Sequence, residues 1–349
     1  MVQVIAYLDV DQDLYHTSYI YTGLLELARR SKIALDVSNP TTGDWRKSPL
    51  GDACVYLDVR SSGEPERRVC FDLWDKSDRF CATSLQNCDL YFKRSFFRPD
   101  LADLPESVRH KVVPFGLNYS CSTIPALPHL LRAGWKQWSV RQVPNLFRLL
   151  YHYYKLRRPE EFLWEPDLPK QPGVLLQTRV WEVAEVIGDS AQAINQTRVE
   201  IVRSLKAAFS DRFVGGLIPN RLARERYPDL LTHVSSDPQA YTTLNRNTLI
   251  GVYTRGLHHS TAWKLGEYCA ASMCVVAEPI RNELPHSIEE GKHYLGFTSG
   301  EECVAACRRI IDDDALQWQL RSSAFNYFEE HIAPAAHLAE CIEKIRTWT

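Results

Sequence analysis

From residue 173 to residue 349, short apolar runs alternate with amphipathic stretches, and few folds accommodate that pattern. Residues 174–177, 213–217, 248–253 and 273–277 read as strands. Helical stretches lie between and after them, at 191–209, 237–245, 262–271, 299–311, 315–331 and 336–349. Two helix starts are spelled out locally. Asp237 is a candidate N-cap with Pro238 at the first helical position, and Ser299-x-x-Glu302 is a capping box. Strands separated by a helix pair in parallel, so this region predicts a doubly wound α/β sheet with helices on both faces. Ligands of such sheets gather at the carboxyl ends of the strands.

Residues 1–120 predict a second α/β unit. An apolar run at 2–9 precedes a helix at 19–30, which places Ile20, Leu24, Leu27 and Ala28 on one face. Strand candidates follow at 33–37, 53–59, 68–73, 89–92 and 111–115. Residues 121–172 differ. They are rich in proline, and from Trp135 to Arg158 they carry Lys136, Arg141, Arg148, Lys155, Arg157 and Arg158 with no acid. Trp135, Trp138, Phe147, Tyr151, Tyr153 and Tyr154 are interleaved with these cations. This part reads as an inter-domain linker with a basic-aromatic helix. The expected organisation is therefore two Rossmann-like, doubly wound domains, 1–120 and 173–349, facing a cleft, with C-terminal helices of which the last crosses back.

Composition narrows the functional classes. The chain has 349 residues and a formal charge of -2, so no global field favours nucleic acid. No apolar run approaches the ~20 residues of a membrane span. Asp9 comes too early for a signal peptide, which points to the cytoplasm. The ten cysteines include no Cys-x-x-Cys and read as reduced, buried thiols rather than metal ligands.

The chemistry concentrates in Gly251-Val-Tyr-Thr-Arg-Gly-Leu-His-His-Ser-Thr-Ala-Trp-Lys-Leu-Gly-Glu267. A strand ends near Thr254, a polar loop with Gly256, His258, His259, Ser260 and Thr261 follows, and a helix begins. The loop brings backbone N–H groups to a helix N-terminus, a ready anion site. Lys264 falls in the first turn, where the dipole disfavours a cation unless an anion such as a diphosphate is bound. Glu267 is three residues on and shares that face, a carboxylate suited to a ribose diol. The plain alternative is a capped helix with Lys264 and Glu267 as a solvated pair. Arg255 suits a phosphate or a surface acid equally. Asn195 and Arg198 suit a cleft or a solvated helix face.

The stretches GLHHSTAWKLGEYCAASMCVVAEP and LPHSIEEGKHYLGFTSGEECVAACRRIIDD resemble the C-terminal nucleotide-sugar domain of GT-B glycosyltransferases. Within that fold they look like the "glycosyl transferases group 1" type that includes CgeB-like enzymes. The resemblance covers about 175 residues of the 349, and extends to residues 1–120, the acceptor domain, by architecture. It implies a glycosyltransferase that uses a nucleotide-diphosphate sugar, by default a UDP-sugar. The acceptor would be a hydroxyl of a glycan, a lipid-linked glycan or a small molecule. Glu267 matches the second carboxylate of the family's E-x7-E pattern, on the nucleotide ribose. His259 stands where the first carboxylate would be, which leaves retaining or inverting chemistry open. Arg179, in VLLQTRVW, and Lys264 would neutralise the diphosphate, so no divalent metal or cofactor is required. Arg255, Gly256, Ser260 and Thr261 complete the implied donor site.

Inverting transfer needs a base on the acceptor hydroxyl. The family places it after the first strand of the first domain, where this chain has Asp9, Asp11, Asp13 and His16. Asp13 and His16 are the candidate catalytic pair, and a helix N-cap is the plainer reading of Asp13. Asp9-x-Asp11 also suits a metal, as in the other glycosyltransferase fold, but that fold lacks a second Rossmann-like half. Asp72, Asp75 and Asp78 suit acceptor hydroxyls, although capping explains Ser77 and Asp78 more simply. Lys93 and Arg94 suit an anionic acceptor or a plain surface. Residues 135–158 suit peripheral contact with the inner membrane face, or a packed linker helix. Two rival functions remain: a nucleotide-sugar epimerase or hydrolase on the same fold, and a non-catalytic nucleotide- or partner-binding module.

Overall fold

The computed structural model describes residues 1–41, 43–47, 53–136, 143–182 and 190–348. The chain divides into two compact units. The first comprises Met1–Pro159, Asn282–His286 and Glu330–Thr349, and the second Glu160–Arg281 and Ser287–Glu329.

The first unit carries strands β1 (Val2–Tyr7), β2 (Ile33–Ser38), β3 (Cys54–Arg60), β4 (Arg67–Asp72), β5 (Leu90–Lys93) and β6 (Val112–Pro114). Its helices are α1 (Leu14–Arg29), α2 (Ala82–Asn87), α3 (Glu106–Arg109), α4 (Ala126–Lys136) and α5 (Val143–Lys155). The sheet order is β2-β1-β3-β4-β5-β6. Five strands are mutually parallel, whereas β3 runs against both β1 and β4. The cause is local. Only residues 61–66 join β3 to β4, too few for a parallel crossover of about a dozen residues, and they hold Gly63 at a φ of 83°. Phe71 and Phe92 stack in the core with centroids 4.6 Å apart, and Phe115 meets Phe71 edge-on.

After the short helix α6 (Pro159–Phe162), the second unit contains β7 (Gln171–Thr178), α7 (Ser190–Phe209), β8 (Phe213–Leu217), α8 (Arg221–Arg226) and α9 (Pro238–Asn247). Then come β9 (Thr248–Tyr253), α10 (Lys264–Ala270), β10 (Cys274–Ala277), β11 (Tyr294–Gly296), α11 (Gly300–Ile311) and α12 (Asp314–His331), whose last two residues are counted with the first unit. All strands are parallel, in the order β11-β10-β9-β7-β8. The expected caps form: the Asp237 carboxylate accepts from the Gln239 N–H at 3.2 Å, and Ser299 Oγ accepts from the Glu302 N–H at 3.2 Å. One sheet face buries Val174, Leu176, Ile250, Val252, Cys274 and Val276 together, and Leu175, Tyr253 and Val275 are buried on the other. Glycine is required where β7 and β8 touch. A Cβ on Gly215, at a φ of 122°, would sit 2.1 Å from the Leu176 carbonyl oxygen.

Helix α13 (Pro334–Arg346) ends the chain in the first unit, against α1. A Cβ on Gly23 of α1 would lie 2.4 Å from the Pro334 carbonyl oxygen, so the glycine permits the close approach. All ten cysteines are free and buried. No described helix is long and apolar enough to cross a membrane.

Candidate functional site

In the second unit, charged side chains converge on the carboxyl ends of β7, β9 and β10. The loop from β9 to α10 is closed on itself. The Gly256 N–H donates to the Ser260 carbonyl at 2.8 Å, and the Ser260 N–H to the Leu257 carbonyl at 3.0 Å. A Cβ on Gly256 would lie 2.3 Å from Ser260 Oγ, so the turn excludes a side chain there. His258 and His259 both adopt left-handed backbone, φ 56° and 58°, a conformation that costs energy for residues with a Cβ. The Ala262 N–H donates to the Tyr253 hydroxyl at 3.3 Å. One amide ahead of the helix is therefore committed to the protein, and α10 is only seven residues long. Charge at this site comes mainly from side chains.

Lys264 and Glu267 are not a solvated pair. The Lys264 ammonium donates to the Gln177 carbonyl at the end of β7 and lies 5.0 Å from the centre of the Tyr241 ring. Burial lowers the Lys264 pKa to about 8, against the pull of Glu267 and with the push of Arg198 and Arg179. Burial raises the Glu267 pKa to about 7, although Lys264 and the Asn245 amide favour its charged form. Tyr241 and Tyr268 close the floor with hydroxyls 3.0 Å apart.

Arg198 faces neither solvent nor an open cleft. It is buried and donates from Nη1 to the Arg179 carbonyl at 2.5 Å and from Nη2 to the Arg255 carbonyl at 2.7 Å. One guanidinium thus ties the loop after β7 to the loop after β9. Its burial lowers its pKa to about 10. Asn195, also buried, grips the same β7 loop from both sides. Its Oδ1 accepts from the Trp181 N–H at 2.9 Å, and its Nδ2 donates to the Trp181 carbonyl at 2.7 Å. Arg179 is exposed, with its guanidinium 5.2 Å over the Trp181 ring. Arg255 takes the acid alternative: its N–H donates to Glu278 Oε2 at 2.9 Å, and its guanidinium lies 3.4 Å from the same carboxylate. Burial, then Arg255 and Arg281, hold the His259 imidazole below its ordinary pKa. Ser260 and Thr261 are buried. Four cations thus share the strand ends with two carboxylates, Glu267 and Glu278, an arrangement that favours a bound anion.

In the first unit, Asp13 caps α1 by accepting from the Tyr15 N–H at 2.9 Å. The same carboxylate lies 3.9 Å from His16 Nε2 and 3.8 Å from His152 Nδ1. His152 comes from α5 and packs on the Tyr15 ring at 4.3 Å. Burial lowers its pKa against the pull of Asp13. Sequence reasoning missed His152, whose only signal was an imidazole set among aromatics. Asp9 pairs with Lys47 at 3.6 Å, and Asp11 accepts from the Asn145 amide.

Among the other charged candidates of this unit, Asp72, Lys93 and Arg94 are tied into the protein, while Asp78 is exposed. Lys93 and Arg94 are buried rather than on the surface. Lys93 Nζ donates to Asp72 Oδ2 at 2.8 Å and to the Arg79 carbonyl at 2.7 Å, while Arg94 pairs with Asp75. Neither Ser77 nor Asp78 is the N-cap of α2, which starts at Ala82 behind Cys81. In the basic-aromatic stretch, Trp138 and Arg141 lie outside the described residues. Trp135, Phe147, Tyr151 and Tyr154 are exposed, and α5 buries only Leu149.

No family model and no curated protein matches the sequence. Among solved structures the chain is similar to the C-terminal domain of a glycosyl transferase group 1 family protein, LpcC, from Francisella tularensis. That match has 11% identity and a TM-score of 0.36, and covers 50% of this chain and 97% of that one. It is also similar to WaaG, a glycosyltransferase involved in lipopolysaccharide biosynthesis, at 12% identity and a TM-score of 0.40, over 75% and 76% of the two chains. A putative UDP-N-acetylglucosamine 2-epimerase from Listeria monocytogenes matches at 10% identity and a TM-score of 0.48, over 98% and 96%. Glycosyltransferases are thus among its structural neighbours, and likenesses of this strength assign no residue and no reaction.

Proposed function

We propose that the chain is a glycosyltransferase that takes a sugar from a nucleotide-diphosphate donor, most simply a UDP-sugar, and passes it to a hydroxyl. The observation that carries this reading is the cationic cluster at the strand ends of the second unit, with Glu267 one turn beyond Lys264. Lys264 and Arg179 are the proposed diphosphate ligands. Ser260, Thr261 and the neutral His259 imidazole supply hydrogen bonds around Gly256, while Arg255 and the buried Arg198 add positive potential. Glu267 is the proposed acceptor of the ribose hydroxyl protons.

As the bond from the anomeric carbon to the diphosphate oxygen breaks, negative charge grows on the leaving group. Fixed cations held near it stabilise that charge more than they stabilise the intact donor. These cations can serve without a metal in the transfer step. The acceptor oxygen forms the new bond to the anomeric carbon, and its proton passes to the Asp13 carboxylate, with His16 and His152 beside it. Exposed aromatics interleaved with cations on α4 and α5 support a lipid-linked acceptor and peripheral contact with the cytoplasmic face of a membrane.

A thermal-shift screen against UDP, GDP, dTDP and CMP tests the donor class. A nucleotide at 100 times its Kd adds about 2.7 kcal/mol of stability. The reading requires a shift with at least one nucleotide that Lys264→Met abolishes, and four flat curves would contradict it. Incubation with donor alone then separates transfer from its rivals. Epimer or free sugar formed without acceptor would favour epimerisation or hydrolysis, and binding without any turnover would favour a non-catalytic module.

A further inference from the structure

Three segments of the first unit meet at two histidines and a glutamate that the reaction above does not use. His286 ends the segment Asn282–His286, His331 ends α12, and Glu340 lies on α13. Each oxygen of the Glu340 carboxylate faces a different imidazole. His286 Nε2 lies 3.0 Å from Oε2, and His331 Nδ1 lies 3.1 Å from Oε1. The two rings lie face to face, 3.8 Å apart and 12° from parallel. Their ligand atoms and the carboxylate oxygen all fall within 4.8 Å of one another. On its far side, His331 Nε2 lies 3.6 Å from the Glu330 carboxylate.

We propose that His286, His331 and Glu340 bind a divalent transition-metal ion of the zinc class. Each imidazole turns a nitrogen toward the same carboxylate, and a single cation can sit where the protons between them are held, those protons passing to the far ring nitrogens or to solvent as it binds. Two imidazole nitrogens and one carboxylate oxygen suit zinc, cobalt or nickel, whereas magnesium and calcium prefer all-oxygen sets. The Glu330 carboxylate, 3.6 Å from His331 Nε2, is near enough to close onto that nitrogen as the outer partner that metal-bound histidines commonly have. Side-chain exposures of 44% at His286, 22% at His331 and 39% at Glu340 leave an entry path and room for water ligands. His286 and Glu340 also line a groove of about 1730 Å³ beside β6, so the ion's remaining positions open toward it. Ligands from three segments make the ion a clip for the turn between α12 and α13.

The test is calorimetric titration of the full chain with Zn²⁺ and with Mg²⁺, repeated with Co²⁺ and read by visible absorption. Wild type is expected to bind one equivalent of Zn²⁺ at this site and to prefer it to Mg²⁺. His286→Ala and His331→Ala should each lose that equivalent or weaken it at least about 100-fold, together with the cobalt spectrum. Glu330→Gln should keep the equivalent but weaken it about 10-fold, as a positioning residue does. His110→Ala, in the same groove, should leave it unchanged. His286 is on the surface, so its variant keeps the test decisive should His331→Ala fail to fold. Zinc binding unaltered by His286→Ala, or no binding tighter than that of Mg²⁺, would overturn the assignment.

Discussion

If Lys264 holds the diphosphate, nucleotide affinity must fall as pH rises through the lysine's own titration. In the ligand-free site, burial sets that pKa at about 8. A bound diphosphate favours the ammonium and raises the pKa, so binding takes up a proton wherever free Lys264 is neutral. About ten elevenths of Lys264 is protonated at pH 7 and about one eleventh at pH 9. Affinity therefore falls about tenfold across that range, roughly 1.4 kcal/mol. Glu267, with a pKa of about 7, runs the other way. Its ionised fraction rises from about half to nearly all, which returns at most about twofold and leaves a net loss of about fivefold. Calorimetric titration with UDP in buffers of different ionisation enthalpy reads the affinity and the proton uptake together. Lys264→Arg keeps the charge but does not titrate, so it should abolish the fall. A flat wild-type profile, or the same slope in Lys264→Arg, would refute the reasoning.

Three further outcomes concern stability. Arg198→Ala strands the Arg179 and Arg255 carbonyls and should destabilise the second unit by about 3 kcal/mol in urea unfolding; a loss below about 1 kcal/mol would show that the tie is idle. Gly215→Ala drives a Cβ into the Leu176 carbonyl at a positive φ and should cost at least about 2 kcal/mol, with a matching fall in Tm. His337 is buried, and burial lowers its pKa to about 4 while Nε2 lies 2.7 Å from the Phe115 carbonyl oxygen. Its neutral form contributes stability that is whole above the unfolded pKa of about 6.5 and is lost as pH falls toward 4. From pH 6.5 to 5 the loss from this group is about 2 kcal/mol, seen as a lower urea midpoint for the first unit and reduced in His337→Gln.

Local signals carried most of the fold. The apolar run 248–253 is β9 to the residue, and Asp237-Pro238 marks the start of α9, because periodicity and caps are properties of neighbouring residues. The reversed strand β3 was harder to see. The sequence pattern suggests a doubly wound sheet here too, because apolar periodicity marks which residues are buried and not which way a strand runs; the direction of β3 follows from the short link of residues 61–66. The same division holds at the site. Lys264 and Glu267 are legible because a helix turn fixes their spacing. Arg198 is not, since its partners lie 19 and 57 residues away and its helix face looks like any polar face. Lys93 and Asp72 misled for the same reason: two charges 21 residues apart read as groups open to an acceptor or to solvent until β4 and β5 pair and bury them together.

A structure of the chain with UDP bound locates the diphosphate outright. It should show Lys264 Nζ withdrawn from the Gln177 carbonyl and placed about 3 Å from a phosphate oxygen, with the Arg179 guanidinium on the same group and Glu267 on the ribose hydroxyls. Nucleotide bound elsewhere, with Lys264 still donating to Gln177, would contradict it.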